Sequence, residues 1–365
     1  MKAVILAGGE GKRMRPLTST IPKPMLPFFQ KPVLEYIIKY LRNQAITEIM
    51  IITNNSCPSI QKYFQRGEQW GVSLQYIYED KPMGTAGCLK SLEAFIYDDK
   101  PLFVINGDII TDVKISEAIA FHEKNKSLLT ILATKVKNPK PFGIIDCEEN
   151  GRVRRYLEKP SIGEIYSCLV NMGMYIIQPE LLQFITNKYE CDMSHDLVPL
   201  LLSMNQPVYC FEGIGYWADI GSVSQYKQSH FDVLVGAVNV KLPISEVLPG
   251  IIIGKNVVIE EGATIKSPVF IGDRTIIKTG SLIGKNTIIG SDCIVTESVT
   301  IDHSIVWENV YIGPSCEVSN SIIANDSIIT KKVKIRRESV IGENCEINRE
   351  IAPEMLVKPY SKLTN

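Results

Sequence analysis

The 365-residue sequence has little that would place it outside an ordinary aqueous protein. It contains no apolar run approaching the roughly 20 residues needed to cross a bilayer, so a membrane-spanning protein is not expected. It has almost no net charge: 39 Lys and Arg against 40 Asp and Glu give −1, so no global basic field recruits nucleic acid, and any cationic site must be local. Its nine cysteines are odd in number and irregularly spaced, which argues against a disulfide framework. No CxxC pair or Cys/His cluster has zinc-ligand spacing. The four histidines, His122, His195, His230 and His303, stand apart from one another and read as structural or surface residues. An apolar strand begins directly after Met1, so no signal peptide is expected, and a reducing cytoplasm is the simplest compartment.

Against that background the first 36 residues stand out. Ala3-Val4-Ile5-Leu6 reads as a buried strand, cut off by Ala7-Gly8-Gly9 with Gly11 close behind. A glycine turn at the end of a strand lets backbone N–H groups approach an anion closely, because no Cβ intervenes. Lys12, Arg13, Arg15 and Lys23 follow, interleaved with four prolines between Pro16 and Pro27. Such a span makes poor helix and poor strand, and its cations suit a polyphosphate. The dinucleotide pattern G-x-G-x-x-G fails, since Met14 occupies the place of the third glycine. A Walker P-loop fails because Arg13, not Ser or Thr, follows Lys12.

The pattern to residue 105 alternates strands (3–6, 48–53, 72–78, 101–105) with helices (33–44, 58–66, 84–97), which predicts a mainly parallel sheet with helices on both faces. In such sheets ligands bind beyond the C-terminal strand ends, where the glycine turn and Asn106-Gly107-Asp108 both fall. Strands are expected over 127–134, 142–147, 152–158 and 167–177, with helices over 179–186, 196–203 and 222–234. From Ile253 the character changes. Ile or Val recurs every six residues through Ile259, Ile265, Ile271, Ile277, Ile283, Ile289, Val295 and Ile301; the frame then slips by a residue to Ile312 and Val318, and again to Ile335, Ile341 and Ile347. A fixed short period is the mark of a hexapeptide parallel β-helix. Cys293, Cys316 and Cys345 share the small fifth position of their hexapeptides and are expected to pack inside it.

The stretch LAGGEGKRMRPLTSTIPKPMLPFFQKPVLEY closely resembles the opening signature of the nucleoside-diphosphate-sugar pyrophosphorylases, the sugar-1-phosphate nucleotidyltransferases. PKPMLPF looks most like the mannose-1-phosphate guanylyltransferase branch. The resemblance implies an enzyme that joins a nucleoside triphosphate to a sugar 1-phosphate and releases pyrophosphate. It further implies an α/β architecture: a Rossmann-like mixed, mainly parallel sheet domain (1–235), a linker (236–250), a left-handed parallel β-helix of hexapeptide repeats (251–350) and a tail (351–365). Arg13, Lys23 and Asp108 are the implied catalytic residues. Leu6, Ala7, Gly8, Gly9 and Gly11, with Gly84 and Thr85 of PMGTAG, fall on the nucleotide side. Gly143, Glu158, Lys159 and Asn171 fall on the sugar-phosphate side. Asp108 in NGD and Asp219 in WADIG match the family's metal-binding aspartates and would hold Mg²⁺. Lys12 departs from the commoner threonine, and Met83 from leucine.

The implied partners are small molecules and a second copy of the chain associating through the β-helix, with no nucleic acid and no membrane. GTP with mannose 1-phosphate fits PKPMLPF, GTAG and NMGMY best, and UTP or dTTP with glucose 1-phosphate is the alternative. The P-x-G-G-x-Y-R element of the ADP-glucose branch is missing after Pro27. A non-catalytic regulatory subunit of the same architecture is a rival of another class, opposed by intact Arg13, Lys23, Asp108, Glu158, Lys159 and Asp219. Acyl transfer by the β-helix would rest on His303 alone.

Overall fold

The fold was obtained as a computed structural model, which describes residues 1–54, 58–96, 99–185, 190–242, 244 and 246–364. The expected helix ends at Tyr97 and Thr186, and the ninth cysteine, Cys57, lie outside the described residues. Two compact units emerge: Met1–Gly9 with Leu34–Asp219, and Glu10–Val33 with Ile220–Asn365.

The first unit is built on a mixed sheet. Its strands are β1 (Lys2–Leu6), β2 (Glu48–Asn54), β3 (Ser73–Glu79) and β4 (Leu102–Asn106), then a short β5 (Ile109–Thr111) outside the sheet. β6 (Leu129–Lys135), β7 (Gly143–Cys147), β8 (Val153–Glu158), β9 (Leu169–Ile177) and β10 (Val208–Glu212) complete it, and β11 (Trp217–Asp219) pairs with β5 alone. The order is β8-β7-β9-β4-β1-β2-β3, with β6 joined to β9 and β10 to β6. β1 is parallel to both β2 and β4, whereas β9 runs antiparallel to β4, β6 and β7. Ala3, Val4 and Ile5 are wholly buried because a central parallel strand is covered on both faces, and this produces the unbroken apolar run in the sequence.

The region after β3 forms less regular helix than its pattern predicts. Gly84–Gly87 is one short α-turn, continued by a 3₁₀ stretch over Cys88–Ala94. Glycines at both ends of that turn weaken the helix, and its N–H groups are claimed by the chain at Cys191.

The second unit is a parallel β-helix of three ladders, each coil strand pairing with the third one after it in sequence until the last turn, where Val340–Ile341 and Glu346–Ile347 pair with the second. One ladder registers Ile253, Ile271, Ile289, Val306, Ile323, Ile341 and Val357. The first two steps are of 18 residues and the next two of 17, so the frame slips in the sequence are shortened coils that preserve the stack. Corner residues such as Asn256, Asp292, Asn309 and Asp326 take positive φ, which short polar side chains tolerate best, and Arg274 takes it in the same series. His303 is a corner residue too, in the series of Asn286 and Asn320, with Nδ1 2.7 Å from Asp302 Oδ2. Cys293, Cys316 and Cys345 are buried inside the coil. Glu246–Leu248 already pairs with the first coil strand, and Leu356–Val357 and Lys362–Leu363 extend the ladders past residue 350 because Val357 and Leu363 keep the apolar position.

Within this unit the segment Glu10–Val33 and the helix Val223–Leu234 pack on the coil. Phe29 meets Phe270 edge-on at 5.1 Å, and His230 lies 4.2 Å from the Phe28 ring. Tyr226 is fully buried; its hydroxyl accepts a 3.1 Å bond from Trp307 Nε1 and donates a short one to the carbonyl of Pro27.

His230 Nδ1 is 2.8 Å from the carbonyl of Tyr226, which can only accept, so Nδ1 carries the proton of a neutral ring. Burial pushes this histidine down to about 3, against about 6.5 in an unfolded chain. Below pH 6.5 the unfolded state takes up a proton that the folded state refuses, so stability present above that pH is lost as pH falls. The expected slope is up to about 1.4 kcal/mol per pH unit between 6.5 and 4 from this group. His230→Asn should flatten the curve by that amount in urea titrations at a series of pH values; an unchanged slope would contradict the assignment.

Candidate active site

The C-terminal ends of β1, β2 and β4 converge in the first unit. The amide of Ala7 donates to the Ile52 carbonyl at 2.7 Å, and that of Gly107 to the Leu6 carbonyl at 2.8 Å. The carbonyl of Gly8 accepts from Asn54 Nδ2 at 3.2 Å. A Cβ at Gly107 would lie 2.9 Å from the backbone carbonyl of Leu6, so that position demands glycine, whereas one at Gly8 would meet only the movable end of the Glu79 side chain, at 2.9 Å from Oε2. Gly9 is open, with nothing within 4 Å of its Cβ direction.

The second glycine turn is locked against residues 191–193. Gly84 has φ +77, and its Cβ would stand 2.4 Å from the Cys191 carbonyl. That carbonyl accepts from the amides of Ala86 and Gly87, both at 2.9 Å, while Cys191 N–H donates to the Met83 carbonyl. Thr85 Oγ1 donates to Asp192 Oδ2 at 2.8 Å and accepts from Met193 N–H at 2.8 Å. The Thr85 hydroxyl is therefore engaged in holding the turn. Glu79 Oε1 accepts from Met83 N–H at 3.2 Å, and burial raises the pKa of that carboxyl.

Asp108 and Asp219 are 111 positions apart, yet the antiparallel ribbon of β5 and β11 sets Asp219 opposite Ile109, the neighbour of Asp108. Both carboxylates therefore stand at the same end of that ribbon, each half-buried. Among the described residues no group of three or more His, Cys, Asp or Glu could enclose a metal. Two carboxylates still fit magnesium, which completes an octahedron with water and substrate phosphates.

The sugar-phosphate candidates also come together. Glu158 pairs directly with Gly143 across β7 and β8, and Glu158 Oε2 accepts from the Tyr156 hydroxyl at 2.9 Å. Lys159 Nζ lies 3.2 Å from Glu158 Oε1. Asn171 sits where the β9 register shifts, a bulge that contains Gly173 at φ +68. Asn171 Nδ2 is 2.8 Å from Tyr175 Oη, 3.1 Å from Tyr156 Oη and 3.4 Å from Ser194 Oγ; Asn171 Oδ1 accepts from Gly173 N–H at 2.9 Å. Burial holds both phenols above their ordinary range, so they remain neutral. Tyr156, Tyr175, Ser194, Asp192 and Glu79 are the polar residues here that sequence reading missed. None lies in a glycine turn or a charged motif, and only the pairing of β8 with β7 brings Tyr156 against Gly143.

Gly11, Arg13 and Lys23 belong to the segment Glu10–Val33 of the second unit. Gly11 takes φ +62, and its carbonyl accepts from Thr18 Oγ1 at 2.8 Å. Buried Met14 and Leu17 anchor this loop and leave Arg13 exposed between them and the glycines; Lys23 is half-buried. Lys12 forms a 2.8 Å ion pair with Glu10.

Residues 2–234 match the family profile described as Nucleotidyl transferase. The chain belongs to that family. Residues 249–352 match a second profile, the EIF2B subunit epsilon LbH domain, which gives the coil its left hand. The UTP–glucose-1-phosphate uridylyltransferase of Synechocystis sp. is 33% identical over 322 residues, 84% of this chain and 83% of that one. The mannose-1-phosphate guanylyltransferase catalytic subunit beta of Dictyostelium discoideum is 33% identical over 353 residues, 96% and 93% of the two chains. The mannose-1-phosphate guanyltransferase of Saccharomyces cerevisiae aligns over 62% of this chain and 63% of its own at 34% identity. A crystal structure of a putative glucose-1-phosphate thymidylyltransferase from Bacillus anthracis, in complex with a sucrose, superposes with a TM-score of 0.58 at 27% identity, covering 63% of this chain and 94% of that one. The nucleotidyl transferase described here is thus an enzyme of sugar-1-phosphate nucleotidyl transfer. Among its described residues no helix is long and apolar enough to cross a membrane.

A methyl group at Gly143 would fall 1.9 Å from Tyr156 Oη and 2.6 Å from Glu158 Oε2, whereas at Gly163 it would meet nothing within 4 Å. Gly143→Ala is expected to lower stability by about 1–3 kcal/mol through overpacking, with Gly163→Ala near neutral. Parallel denaturant titrations test this, and equal effects would refute the close packing.

Proposed function

We propose that this nucleotidyl transferase joins GTP to mannose 1-phosphate, giving GDP-mannose and pyrophosphate. The observation that carries the reading is the alignment to the Dictyostelium mannose-1-phosphate enzyme, which covers 96% of this chain, its sheet domain and its β-helix alike, and 93% of that one. PKPMLPF, Gly84-Thr85-Ala86-Gly87 and Asn171-Met172-Gly173-Met174-Tyr175 agree with it. A second reading, UTP with glucose 1-phosphate, is favoured by the equally identical Synechocystis enzyme.

In the proposed reaction a phosphate oxygen of mannose 1-phosphate attacks the α-phosphorus of GTP. A new P–O bond forms, the bond from the α-phosphorus to the bridging oxygen breaks, and pyrophosphate leaves with the electron pair. Both reactants are anions, so the work is charge neutralisation and alignment. Asp108 and Asp219 would hold Mg²⁺, which supplies positive charge to the phosphates. Arg13 and Lys23, on the loop that continues the glycine turn, bind triphosphate oxygens, and Arg13 stabilises charge developing at the α-phosphate. Leu6, Ala7, Gly8, Gly9 and Gly11 offer backbone to the nucleotide; Gly84 and Thr85 border the base. Gly143 and Asn171 orient the sugar, Glu158 accepts from its hydroxyls and Lys159 pairs with its phosphate. Buried acceptors suit this task because an unmatched partner there is costly.

We further propose a cytoplasmic homo-oligomer that associates through the coil. One ladder of the β-helix carries Val258, Ile294, Tyr311 and Ile328 in register with their side chains exposed, an apolar stripe that a second copy would cover.

Pyrophosphate release with Mg²⁺, crossing GTP, UTP, dTTP, ATP and CTP with mannose and glucose 1-phosphates, decides the substrate. GTP with mannose 1-phosphate should dominate; a UTP and glucose 1-phosphate maximum would move the assignment to the second reading. Asp108→Asn keeps side-chain volume and removes a metal ligand, so kcat should fall by at least about 100-fold with the melting curve unchanged. Turnover close to wild type in that variant would sink the metal role.

A further inference from the structure

The turn at Gly84–Gly87 and the cluster around Asn171 come from distant stretches of sequence, yet one short segment bonds to both. Cys191 holds the turn through its backbone: its carbonyl accepts from Ala86 and Gly87 at 2.9 Å, and its amide donates to the Met83 carbonyl at 2.8 Å. Asp192 then divides its carboxylate between two directions. Oδ2 accepts from the Thr85 hydroxyl at 2.8 Å, while Oδ1 accepts from the amides of Ser194 and His195 at 2.8 and 3.0 Å. Those amides open a π-helical turn, Met193–Leu197, which the carboxylate caps. Met193 N–H donates back to Thr85 Oγ1 at 2.8 Å. Two residues beyond Asp192, Ser194 Oγ lies 3.4 Å from Asn171 Nδ2, whose other neighbours are the Tyr156 and Tyr175 phenols. An unbroken series of bonds therefore runs from Thr85 through Asp192 and Ser194 to Asn171.

We propose, on the reading that places Gly84 and Thr85 beside the base and Asn171 beside the sugar, that Asp192 is a positioning residue coupling recognition of the two substrates. It acts through Thr85 on one side and Ser194 on the other. An ionised carboxylate only accepts, and its two oxygens serve separate partners, so one side chain fixes the turn and aims Ser194 together. Bonds to a charged acceptor are stronger than neutral ones, which suits a residue that must hold two elements in register. The segment itself has little freedom. The Asp192 carbonyl accepts from the amides of Asp196 and Leu197, both at 3.0 Å, and its amide donates to Asp196 Oδ2 at 2.7 Å. A base seated on the turn thus steadies Ser194 and Asn171, and by linkage a sugar phosphate held at Asn171 steadies the turn to the same degree.

The test is steady-state kinetics of full-length variants, using the nucleotide and sugar 1-phosphate that the wild-type protein turns over best, each varied against a saturating partner. Thr85→Val removes a hydroxyl from the base side, yet KM for the sugar 1-phosphate should rise at least about 5-fold along with that for the nucleotide. Ser194→Ala, on the sugar side, should raise KM for the nucleotide as well. Asp192→Ala should raise both, and Asp192→Asn, which keeps an acceptor for the Ser194 amide and an amide group for Thr85, should recover most of the loss. A merely structural cap would cost melting temperature and active fraction and leave each KM as it was. Should Asp192→Ala fail to fold, Thr85→Val and Ser194→Ala decide the matter. Glu158→Gln, which bonds to neither Thr85 nor Asp192, serves as the control and should raise KM for the sugar 1-phosphate alone. If it leaves that KM unchanged, the sugar-side reading falls and the coupling falls with it. If it behaves as expected while Thr85→Val alters only the nucleotide KM and Ser194→Ala only the sugar-phosphate KM, the coupling alone is overturned.

Discussion

The phenol of Tyr226 is the constraint on which the second unit depends. A fully buried hydroxyl must find partners, and losing one costs about 1–3 kcal/mol. Tyr226 finds them in two other segments: it accepts from Trp307 of the coil and donates to the backbone of Pro27. One side chain thereby joins the helix Val223–Leu234, the β-helix and the proline-rich loop that bears Arg13 and Lys23. That loop has only three 3₁₀ turns and a two-residue hairpin of its own, too little backbone bonding to fix cations in place. Phe28, tilted against His230, and Phe29, edge-on to Phe270, supply the remaining constraint. The β-helix therefore does more than extend the molecule: it is the surface on which the cationic loop acquires its shape.

In the first unit the equivalent role falls to strand ends and to one bulge. β1 ends between β2 and β4, so its turn is fixed by bonds to Ile52 and Gly107. At the other side, the irregular register of β9 turns Asn171 toward Tyr156 and Tyr175, while β7 and β8 present Gly143 beside Glu158. A neutral, fully bonded polar cluster of this kind is held rigid by its own hydrogen bonds.

Much of this was legible in the sequence, for identifiable reasons. The buried run at Ala3–Leu6 and the six-residue spacing from Ile253 each report a local periodicity that tertiary contacts then respected. Even the frame slips before Ile312 had structural meaning, as 17-residue coils. What remained hidden depends on distant pairing. Asp219 reaches Asp108 only through a three-residue ribbon with β5, too short to carry a pattern. The helix expected beyond Gly84 gave way to 3₁₀ geometry because Cys191, over a hundred residues away, claims its first amides. The packing of Phe28 and Phe29 on the coil joins residues more than 200 positions apart, where no sequence period reaches.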